Sequence, residues 1–223
     1  MSDIAINIIS LKRQIPSSVK LVAVSKTKPV SDILEAYGAG QRIFGENRVQ
    51  ELISKKDLLP DDIEWHLIGH LQTNKVKYII PFISMIHSVD SFKLLKVINS
   101  EAEKISRVVD CLLQFHIAAE ETKFGFDLDE VFSMISSAGF SLLNSVRLCG
   151  VMGMATFTED ESQIRNEFRY LAGCFKELKG KYFRENNSFR EISMGMSGDF
   201  KIAIEEGSTI IRLGSVIFGE RNY

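Results

Sequence analysis

A lysine stands where a buried-looking strand ends. Residues 21–25 read LVAVS, and KTKP follows directly. Because Val22, Val24 and Lys26 share one parity of the strand, the side chain of Lys26 is expected to point the same way as the two valines. A partly desolvated lysine has a lowered pKa and can form a Schiff base with an aldehyde. The alternative is a solvated loop lysine, since most lysines are surface groups. Lys28 competes as the reactive amine, but it lies beyond the predicted strand, so Lys26 is preferred.

Two Gly/Ser turns near the end of the chain could bind an anion. Ser197 and Gly198 lie between a predicted strand and a predicted helix, where backbone N–H groups lack intrahelical partners. Gly214 and Ser215 follow the last predicted strand, where glycine allows close approach to the backbone and serine adds a hydroxyl. The alternative is that Ser197 only caps a helix and Gly214 only makes a turn. Together the two turns indicate a phosphate site. With Lys26 they suggest an aldehyde that carries a phosphate, a description that pyridoxal 5′-phosphate (PLP) fits.

The elements that would position these residues alternate between strand and helix. Eight short apolar runs predict strands, at 21–25, 42–45, 64–69, 84–89, 108–117, 146–153, 190–194 and 209–214. Segments of helical period lie between them, and residues 1–15 predict an additional N-terminal amphipathic helix. Eight alternations favour an α/β fold, a single (β/α)8 TIM-type barrel, whose active sites lie at the C-terminal ends of the strands. An open doubly wound sheet is the alternative, but it usually carries a Gly-rich turn after its first strand.

Composition narrows the function classes. The 223 residues suit a single domain over 1–223, and a net charge of −2 argues against a nucleic-acid or anionic-membrane partner. Three widely spaced cysteines without C-x-x-C predict neither disulfides nor a zinc knuckle, which favours a cytoplasmic location. No signal peptide and no run of about 18 apolar residues is found, so no membrane span is expected.

Other polar residues receive structural interpretations. His66 and His70 have the i,i+4 spacing of a helical metal pair, but they fall at a strand end with Gly69 between them and no third ligand is evident. We therefore expect no metal site. Glu46 and Glu51 could serve as acids, but they are expected to orient Asn47 and Arg48 or to face water.

Eight blocks of sequence carry a family resemblance. They are AVSKTKP (23–29), FGENRVQE (44–51), WHLIGHLQTNKVK (65–77), HSVDS (87–91), KFGF (123–126), GVMGMA (150–155), SMGMSGDFKIAI (193–204) and GSTIIRLGSVIFGERNY (207–223). In this order they resemble the pyridoxal phosphate homeostasis proteins, single-domain relatives of the N-terminal barrel of alanine racemase. The resemblance implies the barrel of fold type III PLP proteins.

The resemblance also implies residue roles. Lys26 would form the Schiff base with PLP. The phosphate would be held by Ser197, Gly198, Gly214 and Ser215. The remaining pocket residues implied are Arg212 against the pyridine nitrogen, Asn47, His66 and Gly69 in the pocket lining, and Met196 at its flank.

The function implied is that of a PLP carrier without catalytic turnover. It would buffer the reactive aldehyde inside the cell, pass it to PLP-dependent apo-enzymes by transient contact, and act as a monomer. Because the sequence ends at Tyr223, shortly after the eighth strand, we expect no second domain to supply the acid/base partner of a racemase. The alternatives are a weak amino-acid racemase or lyase that uses PLP, and a scaffolding barrel that binds no cofactor.

Overall fold

Eight parallel strands close into a barrel in this computed structural model, which describes residues 2–119 and 124–220. The strands are β1 (Lys20–Val24), β2 (Ile43–Glu46), β3 (Glu64–Leu67), β4 (Met85–Val89), β5 (Val109–Gln114), β6 (Val146–Met152), β7 (Glu191–Ser193) and β8 (Ile210–Leu213). They pair in chain order, and β8 pairs with β1 to close the ring, with Val22 opposite Arg212. The closed barrel and the approximate positions of all eight strands are therefore confirmed, and the open sheet is excluded.

Helices cover the outside of the barrel. They are α1 (Asp3–Gln14), α2 (Val30–Gly38), α3 (Val49–Lys56), α4 (Val76–Ile79), α5 (Phe92–Glu103), α6 (Leu128–Ser136), α7 (Glu161–Lys181), α8 (Phe200–Glu205) and α9 (Ser215–Phe218). The predicted N-terminal helix is α1, which precedes the first strand. It packs against α2 and α9, and the amide of Asn7 donates a hydrogen bond to the carbonyl of Ile217 at 3.1 Å.

Strand parity divides the apolar side chains into two buried sets. One set fills the inside of the barrel: Val22, Met85, Leu112, Cys149, Met152 and Ile210. The larger set lies between the strands and the helices, and Ala23 and Phe44 belong to it. Because successive strand residues point to opposite faces, Val22 and Ala23 fall into different sets. This alternation decides which strand-end residues can reach the barrel axis.

Polar side chains cap the starts of α5 and α6. Asp127 accepts a hydrogen bond from the backbone N–H of Glu130, whose carboxylate accepts one from the N–H of Asp127, so both halves of a capping box are formed. Ser91 caps α5 by accepting from the N–H of Leu94. Such caps contribute about 1 kcal/mol each by satisfying N–H groups that the helix leaves unpaired.

The longest helix in the described part of the chain, α7, carries an apolar stripe along its length. Along its apolar stripe, Ile164, Phe168, Leu171 and Leu178 are buried, and Phe175 is partly buried. Burying each such side chain contributes roughly 1.5–3 kcal/mol. The stripe therefore fixes α7 against the barrel beside β6 and β7.

Several predicted strand bounds were too long. The predicted run 108–117 is strand only over Val109–Gln114, and 64–69 is strand only over Glu64–Leu67. Residues just past a strand end can be as apolar as the strand itself when they cover the barrel rim, so composition alone does not mark the boundary. Lys123 of the KFGF block and residues 221–223 of the last block lie outside the described residues. Across the described ranges, none of the helices is both long and apolar enough to cross a bilayer.

Candidate functional site

A cavity of about 460 Å³ opens at the C-terminal ends of the strands. The segments after β1, β2, β3, β6, β7 and β8 all contribute to its lining. This is the end of a barrel at which parallel strands deliver residues from several loops to one place. Its volume lies within the range of small-molecule sites.

Lys26 enters the cavity from the turn that follows β1. It lies two residues past Val24, is partly buried, and lines the cavity together with that valine. Val22, on the same parity, belongs to the apolar cluster inside the barrel. The predicted direction of the Lys26 side chain therefore agrees with the structure, and a solvated position away from any site does not.

Lys28 also lines the cavity, but its ammonium group is committed elsewhere. Its Nζ donates to the carbonyl oxygen of Phe218 at 2.8 Å and to that of Glu220 at 3.4 Å. These carbonyls lie at and beyond the C-terminal end of α9, where a cation is favourable. The second lysine thus ties the first strand's loop to the last helix.

Arg212 reaches the cavity from β8 with its guanidinium group buried. Its Nη1 donates to the hydroxyl of Ser193 at 2.6 Å and its Nη2 to the carbonyl of Gly153 at 3.0 Å. Burial lowers the pKa of Arg212 to about 10, which still leaves it protonated at neutral pH. The side chain is therefore a fixed cation and hydrogen-bond donor in the cavity wall.

A buried polar chain continues from Arg212 into the barrel. His87 Nδ1 lies 2.9 Å from the Ser193 hydroxyl, and its Nε2 lies 2.9 Å from Nδ1 of His66. Since Ser193 accepts from Arg212, its own hydrogen is available to His87 Nδ1, and His87 then donates from Nε2 to His66. The arrangement is satisfied by two neutral histidines.

The two buried histidines of this polar chain should make the stability of the protein sensitive to acid. Burial lowers the pKa of His66 to about 3 and that of His87 well below 6.5. Unfolded histidines bind protons near pH 6.5, so the stability is present above that pH and is lost as the pH falls toward the folded values. We expect the free energy of unfolding in urea to drop by roughly 1.4 kcal/mol per pH unit for each histidine between pH 6 and pH 5. A His66→Gln variant should lose about half of this slope, and an unchanged slope would contradict the assignment.

The two Gly/Ser turns meet on one side of the cavity. Ser197 and Gly198 after β7, and Gly214 and Ser215 after β8, all line it. The turns contact each other, because the N–H of Gly214 donates to the hydroxyl of Ser197 at 3.3 Å. A Cβ placed on Gly198 would meet nothing within 4 Å, so open space lies in front of this backbone.

Asn47 lines the cavity directly after β2, and its side-chain oxygen Oδ1 is buried without a hydrogen-bond partner in the described part of the chain. A buried acceptor without a donor is costly, so a donor from a ligand would satisfy it. Gly69 packs on the backbone of Asn47, and a Cβ there would come within 2.4 Å of the Asn47 carbonyl oxygen. The glycine therefore leaves room for Asn47.

The structure brings eight of the ten residues implied by the resemblance to the cavity. These are Lys26, Asn47, Met196, Ser197, Gly198, Arg212, Gly214 and Ser215. The other two, His66 and Gly69, are not among the residues that line it, and their contact with a cofactor stays a prediction. The ring of His66 is held inside the barrel by His87, and Gly69 acts through its contact with Asn47.

The sequence predicted no cavity role for residues 155–158, in the loop after β6. Residues 154–158 line the cavity, and the hydroxyl of Thr156 donates to Glu167 of α7 at 2.7 Å. The block GVMGMA was the signal nearest to this loop, but it does not indicate which residues face the ligand side. Within the described residues, no group of three His, Cys, Asp or Glu side chains could hold a metal ion.

Comparison with known proteins identifies the family. The family model of the alanine racemase N-terminal domain matches residues 1–222. The pyridoxal phosphate homeostasis protein of Aquifex aeolicus is 42% identical over 208 residues, covering 92% of this chain and 88% of the relative. The chain belongs to the pyridoxal phosphate homeostasis protein family. The human member is 40% identical over 214 residues, covering 92% of this chain and 77% of its own.

Solved structures of similar fold include a member of this family. PipY of Synechococcus elongatus, a structure described with PLP bound, superposes with a TM-score of 0.85 at 37% identity, over 97% of this chain and all of that one. An alanine racemase of Clostridium difficile has a TM-score of 0.74 at 14% identity, with 99% of this chain and 60% of the racemase covered. The second likeness shows the fold alone. It matches the barrel described above.

Proposed function

We propose that this protein binds PLP and holds it as a Schiff base on Lys26, as a reversible carrier in PLP homeostasis. The ε-amine of Lys26 would condense with the aldehyde of PLP and release one water. The observation that carries the proposal is that one cavity is lined both by this lysine and by the two Gly/Ser turns. A cavity whose wall holds both an amine and backbone N–H groups suits an aldehyde that carries a phosphate.

The other cavity residues fit the same ligand. The Asn47 oxygen lacks a donor among the described residues, and a bound hydroxyl would supply one. Arg212 would lie against the pyridine nitrogen and donate to it. Its contacts with Ser193 and Gly153 hold the guanidinium group in place before any ligand arrives.

The cavity suits holding PLP better than using it for catalysis. Bound PLP supplies an aldehyde and, in enzymes, an electron sink that is weaker when the pyridine nitrogen is unprotonated. Arg212 keeps its own proton, so it would leave that nitrogen unprotonated. A racemase also needs a second acid/base group, yet the described lining contains one carboxylate, Asp199, and no tyrosine, cysteine or histidine. Asp199 already accepts a hydrogen bond from the N–H of Met196.

Borohydride trapping followed by peptide mapping tests the proposal. Reduction in the presence of PLP should attach the cofactor to Lys26 at about one equivalent. Pyridoxine 5′-phosphate, which carries an alcohol in place of the aldehyde, is the control and should leave no adduct. An adduct mainly on Lys28, or no adduct at saturating PLP, would overturn the assignment of Lys26.

The proposed carrier role includes transfer of PLP to other proteins. The protein would act as a cytoplasmic monomer that passes PLP to apo-enzymes by transient contact. Loaded protein should reactivate a PLP-dependent apo-enzyme even when a scavenging amine removes free PLP, and failure to do so would restrict the role to buffering.

Incubation with a panel of amino acids should give no racemisation or cleavage. Turnover in that assay would favour the racemase or lyase alternative.

A further inference from the structure

A cluster of charged side chains lies behind the turn that carries Lys26. Glu46 is fully buried at the end of β2, on the strand face opposite the barrel axis, where α3 covers it. The ammonium group of Lys55, from α3, donates to Glu46 at 2.8 Å and to Glu51 at 2.6 Å. The hydroxyl of Ser25 donates to Glu46 at 2.6 Å. We call Glu46, Glu51 and Lys55 the ion cluster.

The ion cluster binds the backbone on both sides of Lys26. Before the lysine, the carbonyl of Ser25 accepts a hydrogen bond from Lys55 Nζ at 2.8 Å. After it, the backbone N–H of Thr27 donates to Oε1 of Glu51, the same oxygen that accepts from Lys55. The cluster therefore holds the two residues that flank Lys26, while the lysine side chain projects into the cavity.

Thr27 needs this support because its backbone is strained. Its φ angle is +66°, in the left-handed region that β-branched residues rarely adopt. A residue stays in such a conformation only where its surroundings over-determine it. The acceptor for the Thr27 N–H is supplied by Glu51, whereas the threonine itself is exposed and is not held by burial. The turn is closed by the N–H of Lys28, which donates to the carbonyl of Ser25 at 3.0 Å, and Glu51 supplies the acceptor for the strained residue between them.

Burial makes the cluster rigid. Lys55 is only 7% exposed, and its ammonium group has three oxygen acceptors within 2.8 Å. A buried ion pair has little freedom to rearrange, because moving either charge leaves the other without compensation. The turn that carries Lys26 is therefore held by groups that are themselves fixed.

We propose that Glu51, held by Lys55, is a positioning residue that aims Lys26 at the aldehyde of the bound ligand. This inference rests on the proposed function, since it gives the lysine turn a role in Schiff-base formation. Glu51 does not line the cavity, so it acts through the backbone of Thr27 and not on the ligand. Its contribution should appear in the covalent step alone.

Comparing two ligands distinguishes a positioning role of Glu51 from a general effect on the stability of the protein. A Glu51→Ala variant should bind PLP at least ~10-fold more weakly, because an unaimed amine forms less Schiff base. Its affinity for pyridoxine 5′-phosphate, which cannot form one, should stay within about twofold of wild type. The matched control is Glu101→Ala: the Glu101 side chain is 23% exposed against 21% for Glu51, and it also pairs with a lysine one helical turn on. This control should change neither affinity.

A measurement on the ligand-free protein tests the same contact directly. The Thr27 amide should exchange slowly with solvent deuterium in the wild type and in Glu101→Ala, and faster in Glu51→Ala. Should Glu51→Ala not fold, Glu51→Gln replaces it; glutamine keeps an acceptor oxygen, so a smaller loss confined to PLP is expected. Equal weakening of both ligands, or no change with either, would overturn the positioning role.

The wild-type protein alone tests the proposed function, and the Glu51→Ala variant tests the positioning role. A wild-type protein that gives no Schiff base on Lys26 contradicts the proposed function itself. A wild type that forms it, together with a Glu51→Ala variant that forms it equally well, contradicts only the positioning role.

Discussion

Replacement of Lys26 by alanine is expected to abolish the Schiff-base absorption band that PLP gives with the wild-type protein. The reason is geometric: Lys26 continues the parity of β1 that points to the barrel axis, whereas the Nζ of Lys28 is tied to carbonyls at the end of α9. Loss of the covalent bond should weaken PLP binding by at least ~100-fold, which corresponds to roughly 2.7 kcal/mol. Absorption spectra before and after borohydride reduction, with a PLP titration of each protein, measure both effects.

Lys28→Ala is the matched control for this prediction. The lysine is two residues away, lines the same cavity and carries the same charge, so a purely electrostatic attraction for the phosphate would be lost in both variants alike. We expect Lys28→Ala to retain the band and to lose only modest affinity. A band that persists in Lys26→Ala but disappears in Lys28→Ala would exchange the roles of the two residues.

The position of Lys26 was predictable from sequence because it depends on local geometry. Strand parity relates it to Val24 and Val22, two and four residues earlier in the chain, and closure of the barrel relates it to the turns after β7 and β8. The regular features needed were an apolar run, its period and the number of strands. The two Gly/Ser turns were predicted in the same way, since both follow predicted strands directly.

The surroundings of His66 could not be predicted in this manner. Its ring lies inside the barrel, where it is hydrogen-bonded to His87 on the next strand. His87 in turn belongs to a polar chain that ends at Arg212. The contact partners in this chain are 19 or more residues apart in sequence, and no local pattern connects them. A residue near the end of one strand can therefore line the cavity, whereas a residue near the end of another strand is buried beneath it.

The acidic residues after β2 show a second limit. Glu46 and Glu51 were expected to orient nearby polar groups or to face water, but Glu46 is fully buried and both pair with Lys55. Burial raises the pKa of Glu46, which is the direction expected of a carboxyl group taken out of water. A charged residue in a sequence predicts exposure on average, and only the packing of α3 on β2 reveals the exception.

The largest expected loss of stability comes from a single methyl group at Gly150. A Cβ on this residue would lie 1.8 Å from the carbonyl oxygen of Glu191 on β7 and within 3 Å of two further backbone atoms of that residue. Its φ of +151° also falls outside the range that L side chains favour. The pairing of β5 with β6 shifts register between Leu148 and Gly150, and on its other side Gly150 is paired with Glu191 of β7.

Glu191 cannot move away to relieve the clash. The residue is 5% exposed, and its carboxylate accepts hydrogen bonds from Lys20 on β1 and from the hydroxyl of Thr209 before β8. A shift of β7 would therefore break contacts on both sides of the barrel closure. We expect Gly150→Ala to lose at least ~4 kcal/mol of unfolding free energy, or to fail to fold. Urea denaturation followed by circular dichroism measures the loss.

Gly173→Ala provides the control that isolates position from residue type. Gly173 lies in α7, and a methyl group at this position would meet nothing within 4 Å, so the same change there is unobstructed. Alanine also favours the helix over glycine by roughly 0.8–1 kcal/mol, and we expect this variant to be slightly more stable than wild type. A Gly150→Ala protein that unfolds at the wild-type urea concentration would show that β7 yields easily. The register shift between β5 and β6 would then be a tolerant feature of the barrel, and the close approach of β6 to β7 would not limit its stability.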